Sequence, residues 1–411
     1  MLLNYLWAFF ILGSIAAGFW QFLWLGDSSV FQSLIQAIFD MAKLAAEIAI
    51  GLIGILSLWL GFFRIAEEGG LIKVLSRGLA PFFHALMPAV PKDHPAMGSM
   101  TMNLGANMLG LDNAATPLGL KAMQDLQLLN QGSNVASNAQ ILFLVLNTSS
   151  VTLLPVTIFM YRAQLGASDP ASVFLPILLA TCCSTLVGLL AVAWIQRLPL
   201  YRPVVLAYLG GFGVLLSALV VTVSSLDQER LVAFSSGLAN GTLLLVIALF
   251  IGVGLKRGVQ VYEVFVEGAK EGFTMSIRLI PYLVAMLVAI GMLRASGLLD
   301  LLINLIKGLL SPMTDNLAFV DALPVAFMKP FSGSGSRALM LENMEHFGVD
   351  SFQGLLSTVM QGSTETTFYV LAVYFGSVGI TRVRHAVFCG LIADLAGILA
   401  AIFICHTFFS V

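Results

Sequence analysis

Stretches of about twenty apolar residues, roughly the length a helix needs to cross a hydrocarbon core, recur along this chain. They lie at 2–25, 44–63, 141–161, 173–196, 204–225, 232–255, 273–293, 352–376 and 385–408. Lipid offers the backbone no hydrogen-bond partners, so only helices and closed barrels span a bilayer, and runs of this length read as helices. Composition agrees, with 58% hydrophobic and 10% charged residues, where a soluble domain carries about 25% charged. Two further regions, 79–123 and 310–346, hold too much Gly, Pro, Asn and Ser for simple spans and are too apolar for solvent loops. The expected fold class is all-α: a polytopic membrane protein of about nine transmembrane helices plus two re-entrant or broken hairpins.

The charge pattern narrows the partners. Twenty basic and 22 acidic residues leave a net charge of −2, with no basic stripe for nucleic acid, so nucleic acid is excluded and membrane lipid is the expected surroundings. Cys182, Cys183, Cys389 and Cys405 lie in apolar spans with no Cys-x-x-Cys pair and no nearby histidine arrangement of zinc-site spacing; packing, not metal binding, is their expected role. No cofactor is expected. Lysine and arginine gather in alternate connections, among them Arg64, Lys73, Arg77, Arg197, Lys256, Arg257 and Arg382, which puts the N-terminus in the cytoplasm and the C-terminus outside. Helices outside the core, such as 204–225 with Gly210, Gly211 and Gly213, offer a subunit contact, so a homo-oligomer is among the expected assemblies.

One acid stands where lipid penalises it. Glu365 is the single charged residue between Ser351 and Thr381, and a carboxylate at that depth costs several kcal/mol unless it meets water, a cation or a proton. Asp394, mid-way along 385–408, is a second deep acid. Both are candidates for coupling to H⁺ or Na⁺. A plainer reading of Glu365 is an ion pair with Arg337 or Lys329.

The chain also repeats itself. Gly61-Phe62-Phe63-Arg64, Gly69, Arg77-Gly78-Leu79 and Pro81 are echoed by Gly291-Met292-Leu293-Arg294, Gly297, Lys307-Gly308-Leu309 and Pro312. The halves fall near 1–198 and 199–411. Each core holds three spans and one irregular region, with two spans between the cores, so the second core enters from the opposite face. Inverted repeats of this kind place a substrate site at mid-membrane on the repeat interface. The candidate binding residues follow from that geometry. They are Asn103, Asn107, Asp112, Asn113 and Thr116 in the first irregular region, where Pro117 is placed to open a helix, and Ser334, Ser336 and Arg337 in the second. The polar heads of the following spans add Asn147, Thr148 and Ser149 in one half and Ser363, Thr364, Glu365 and Thr366 in the other. The glycines of 332–337 permit close backbone approach to a ligand and Arg337 can neutralise an anion, but the run lacks the Gly-Lys-Ser or Gly-Lys-Thr ending of a phosphate-binding loop. No nucleophile with a base in register points to an enzyme.

The run from Asn103 through Asp112-Asn113 and Thr116-Pro117 to Met123, with Leu146-Asn147-Thr148-Ser149-Ser150, resembles spore maturation protein A. The runs Lys329 to Ala338 and Gln361 to Thr367 resemble spore maturation protein B. The chain is similar to a fusion of the two, joined near 197–203. The resemblance implies two "nucleoside recognition" or Gate domains, near 45–165 and 275–380, a bacterial inner-membrane location, and transport of a small polar solute. A non-transporting scaffold or partner subunit for envelope or spore maturation is the competing expectation.

Overall fold

The computed structural model of the chain describes residues 2–91, 93–110, 112–226, 228–312 and 316–409, with the backbone alone at 2, 3, 112–114, 223, 224, 228, 229 and 232. The fold is all-α, and the described residues form no strand beyond one bridge between Val135 and Arg382. The helices of the first half are α1 (Leu2–Trp20), α2 (Ser29–Glu68), α3 (Leu71–Leu86), α4 (Pro95–Met108), α5 (Asp112–Leu129), α6 (Asn138–Thr148), α7 (Val156–Gln164) and α8 (Phe174–Gln196). There follow α9 (Pro203–Ser224), α10 (Gln228–Lys256), α11 (Val261–Ala295), α12 (Leu298–Leu310), α13 (Leu323–Met328), α14 (Gly333–Phe347), α15 (Phe352–Gly362), α16 (Thr367–Ser377) and α17 (Ala386–Phe408).

Seven described helices are long and apolar enough to cross a membrane: α1 with its π-helical extension to Leu25, α2, α8, α9, α10, α11 and α17. The remaining two expected spans are not continuous. The stretch 141–161 stops at Thr148 and resumes at Val156, and 352–376 stops at Gly362 and resumes at Thr367. In the first, Ser149 and Ser150 compete for backbone hydrogen bonds, and Pro155 lacks a donor and disfavours helix at the residue before it. In the second, Gly362 is followed by Ser363 and Thr364, residues of low helix propensity. Conversely, α2 with 40 residues and α11 with 35 run well past their apolar stretches.

Both irregular regions are helical. In the first, α4 packs on α5 as a hairpin whose turn is Gly110, at φ 70°. Fourteen residues make α4 only about 21 Å long, short of the roughly 30 Å of a hydrocarbon core. Pro117 lies inside α5 and does not open it, because the chain has already reversed at the left-handed glycine. In the second region α13 leads into α14, and Gly333 to Arg337 form the first turns of α14. Ser332 caps it, its Oγ accepting from Gly335 N at 3.0 Å, so this glycine-rich run is helix and not an open loop.

The chain forms two compact units, each drawing on both halves of the sequence. The first comprises Met1–Leu60, Ile158–Pro170 and Gly268–Gln361, the second Gly61–Thr157, Ala171–Glu267 and Gly362–Val411. Within the first, α2 and α11 run antiparallel. Ser276 Oγ donates to Ala49 O, a Cβ on Gly272 would sit 2.5 Å from the Ser57 backbone, and one on Gly291 would sit 2.4 Å from Met41.

The first unit also holds a fully buried cation. Arg162 Nη2 donates to Asp350 Oδ1 at 2.8 Å and Nη1 to Val349 O at 2.9 Å, and the guanidinium also reaches the carbonyls of Asp169 and Pro170. Asp350 Oδ2 in turn accepts from Ser168 N at 2.9 Å. Burial pushes the Asp350 carboxyl up, but the Ser168 hydrogen bonds and the Arg162 charge outweigh it and hold it below 3.8. A carboxylate depressed in the fold contributes stability above its unfolded pKa and loses it as pH falls through the folded value. Arg162→Ala is expected to destabilise the detergent-purified protein by about 3–5 kcal/mol, read from thermal unfolding. Asp350→Asn should flatten the acid limb of the stability–pH curve below pH 4.

Candidate functional site

The breaks come together in the second unit as a junction of helix ends. There α6 and α16 lie antiparallel, with the rings of Phe143 and Tyr374 stacked at 6.0 Å. At one end Thr148 O accepts from Glu365 N at 2.8 Å; at the other, Asn134 O accepts from Thr381 N and Arg382 N, both at 3.0 Å. The carbonyl end of one helix, partly negative, therefore meets the amide end of another, partly positive. Thr366, the residue before α16, makes no side-chain cap.

The α4–α5 hairpin is fastened to this junction. Leu153 N, in the unwound segment between α6 and α7, donates to Met108 O at 2.9 Å. Gly110 comes so close to the same segment that a Cβ there would lie 2.7 Å from Leu154 O. Asn107 Nδ2 donates to Asn147 Oδ1 at 2.7 Å, and Asn147 Nδ2 to Phe143 O at 2.9 Å. Asn103 Nδ2 donates to Ala115 O at 2.7 Å and to the Tyr374 hydroxyl at 3.3 Å. Its Oδ1, buried, has no hydrogen-bond partner. Thr116 is half-buried on α5, and the side chains of Asp112 and Asn113 lie outside the described residues.

The long helices α8 and α17 close the other side. Thr367 Oγ1 donates to Asp394 Oδ2 at 2.7 Å, and Ser184 Oγ donates to Ala393 O at 2.9 Å. Thr185 Oγ1 donates to Ser149 O. Gly397 admits Thr364, whose Cγ2 would lie 2.8 Å from a Cβ there, and Gly390 admits Thr367 in the same way. Thr364 Oγ1 is buried without a hydrogen-bond partner. Thr148 and Ser149 turn their hydroxyls back to Val145 O. Asp394 is 2% exposed. Glu365 is different: Ser363, Thr364, Thr366 and Thr367 around it are buried while its own side chain is exposed. Among the described residues, no ion pair is formed with it.

Ser334, Ser336 and Arg337 belong to the first unit. Ser336 Oγ donates to Val325 O at 2.8 Å, Ser334 lies 3.3 Å from Ser332, and Arg337 stands over the Tyr161 ring at 5.5 Å. The sequence reading missed Tyr374, Ser184 and Thr185. Tyr374 had a signal, since it lies two helical turns after Thr367, on the same face of α16. Its fit against Gly119 is close, with a Cβ there 2.1 Å from the Tyr374 hydroxyl and 2.9 Å from Asn103 Nδ2. Gly119→Ala is therefore expected to cost about 1–3 kcal/mol by overpacking, and Tyr374→Leu, which removes the ring end, to relieve much of that loss in a double-mutant cycle. Additive losses in urea unfolding would contradict the contact.

A family model described as Gate, nucleoside recognition, matches residues 49–164 and 276–381, and each match contains one of the two breaks. Spore maturation protein A of Bacillus subtilis (strain 168) is 43% identical over 157 residues, 38% of this chain and 80% of that protein. Spore maturation protein B of the same organism is 44% identical over 160 residues, 39% of this chain and 88% of that protein. No solved structure matches the chain. With more than half of its length matched by the family model, this multi-pass membrane chain belongs to the Gate, nucleoside recognition, family.

Proposed function

We propose that the chain is a secondary transporter that moves a small polar solute across the bacterial inner membrane, coupled to H⁺ or Na⁺ and carrying out no covalent chemistry. The observation that carries this reading is the α6–α16 junction, where Glu365 is exposed and unpaired in a run otherwise too apolar for it. Unwound backbone at membrane depth is tolerated where protein or a water-filled cavity satisfies it, and the opposed ends of broken helices suit ions and polar solutes. The unused side-chain capacity there is polar and neutral, at Asn103 Oδ1 and Thr364 Oγ1. Such groups suit a solute rich in hydroxyl and carbonyl groups, and a nucleoside is the class that the family description names.

Glu365 supplies the coupling charge and Asp394, held by Thr367, a second acidic position. The halves 1–198 and 199–411 are inverted repeats that alternate access to the site, with the N-terminus cytoplasmic and the C-terminus outside. Support for the inversion is that each antiparallel pair, α2 with α11 and α6 with α16, takes one helix from each half. A scaffold role in spore maturation rests on the names of the relatives alone.

Reconstituted vesicles tested with nucleosides, small dicarboxylates and metal ions, under imposed H⁺ or Na⁺ gradients, decide between these readings. Glu365→Gln should lower gradient-driven uptake by about tenfold or more, at least about 1.4 kcal/mol of barrier, while leaving thermal stability unchanged. Full uptake by that variant removes Glu365 from the mechanism, and no flux of any solute by the wild type favours the scaffold.

A further inference from the structure

The second unit contains an apolar hollow separate from the polar junction. It has a volume of about 190 Å³ and is walled by Phe82, Leu104, Leu146, Leu189 and Phe212, with Ser150 and Val151 of the unwound segment at one side. Of its three hydroxyls, those of Tyr208 and Thr185 are engaged, and Ser150 is a buried residue. The Tyr208 hydroxyl donates to Gly78 O at 2.5 Å, and the Thr185 hydroxyl donates to Ser149 O. Leucine, phenylalanine, methionine and valine side chains make up the rest of the wall. A sealed apolar cavity of about 150 Å³ stays dry and takes apolar guests, and this hollow is of that kind but open on one side.

The opening lies at the exposed surface of the unit. Leu186 of α8 and Tyr208 of α9 both line the hollow and are exposed. The rest of α9 is a nearly unpartnered apolar helix, with only 6% of its most apolar window buried and Leu206, Val214, Leu215 and Val221 all exposed. In a bilayer the medium against that surface is acyl chain. The hollow is continuous with the surface, has matching polarity, and is too small for a whole lipid.

We propose that this hollow binds the end of one phospholipid acyl chain, which enters beside α9 and packs against Ser150 and Val151. The bound chain thereby braces the unwound segment between α6 and α7 from its apolar side. The inference is independent of the solute reading, because it concerns a different wall of the unit and a lipid in place of a cargo.

Photo-crosslinking of the full chain in vesicles of 1-palmitoyl-2-oleoyl-phosphatidylcholine tests it. Benzoylphenylalanine in place of Leu209, inside the hollow, and in place of Val221, on open lipid-facing surface, should both yield phospholipid adducts by mass spectrometry. Leu189→Trp, which fills the hollow, should cut the adduct at 209 about fivefold, roughly 1 kcal/mol of occupancy, and leave that at 221 unchanged. Absence of a lipid adduct at 209, equal adducts with and without the filler, or cross-links at 209 to a second copy of the chain would overturn the proposal. Should the filled variant fail to fold, wild-type hydrogen exchange decides. Adding the phospholipid to delipidated protein should slow exchange at amides 149–154 about threefold, and no change there overturns it.

Discussion

Wherever a helix stops inside lipid, its last carbonyls and the next helix's first amides lose their partners, and each unsatisfied group costs several kcal/mol. The second unit meets this cost by joining two breaks, one from each half of the sequence. The Thr148 carbonyl, at the end of α6, takes the Glu365 amide, just before the start of α16, at 2.8 Å. Much of the surrounding architecture serves that bond. The α4–α5 hairpin reverses at Gly110 so that its backbone reaches the unwound segment at Met108 and Leu153, and α17 presents Gly390 and Gly397 where Thr367 and Thr364 need room.

The same constraint divides the polar residues by role. Most are consumed in holding the junction: Asn107 on Asn147, Thr148 and Ser149 on Val145, Thr367 on Asp394. What remains is small in number and consistent in character. Asn103 Oδ1 and Thr364 Oγ1 are buried and unused, and Glu365 alone of its run faces outward. The asymmetry between the halves, neutral at Asn147–Ser149 and acidic at Glu365, thus becomes a junction with one exposed acid, Glu365, and one buried acid, Asp394, held by Thr367. Arg162 shows the contrary use of buried charge. Its guanidinium is bound by three carbonyls and the Asp350 carboxylate, so it ties segments of the first unit together and offers nothing to a guest.

The helical class, the membrane setting and the polar runs were legible in the sequence because apolar length and isolated acids carry direct energetic meaning. The breaks were less so. An average over twenty residues hardly registers four polar ones, so 141–161 and 352–376 read as continuous spans although Pro155 and Gly362 stood at their centres. Pro117 misled in the opposite direction, since proline favours a first helical turn but Gly110 had already turned the chain. The contacts of Tyr374 with Asn103, of Thr185 with Ser149 and of Thr367 with Asp394 join residues 27 to 271 positions apart. Only tertiary packing creates such pairings, and no local pattern announces them.

The account stands on water reaching the α6–α16 junction within the bilayer. Cysteine accessibility measures this directly: Glu365→Cys, in a background with Cys182, Cys183, Cys389 and Cys405 replaced, is treated in sealed vesicles with a charged, membrane-impermeant thiol reagent. The account predicts modification of residue 365 from at least one side of the membrane. Reaction with a lipid-permeant maleimide alone, and none with the charged reagent from either side, would place Glu365 in lipid and contradict it.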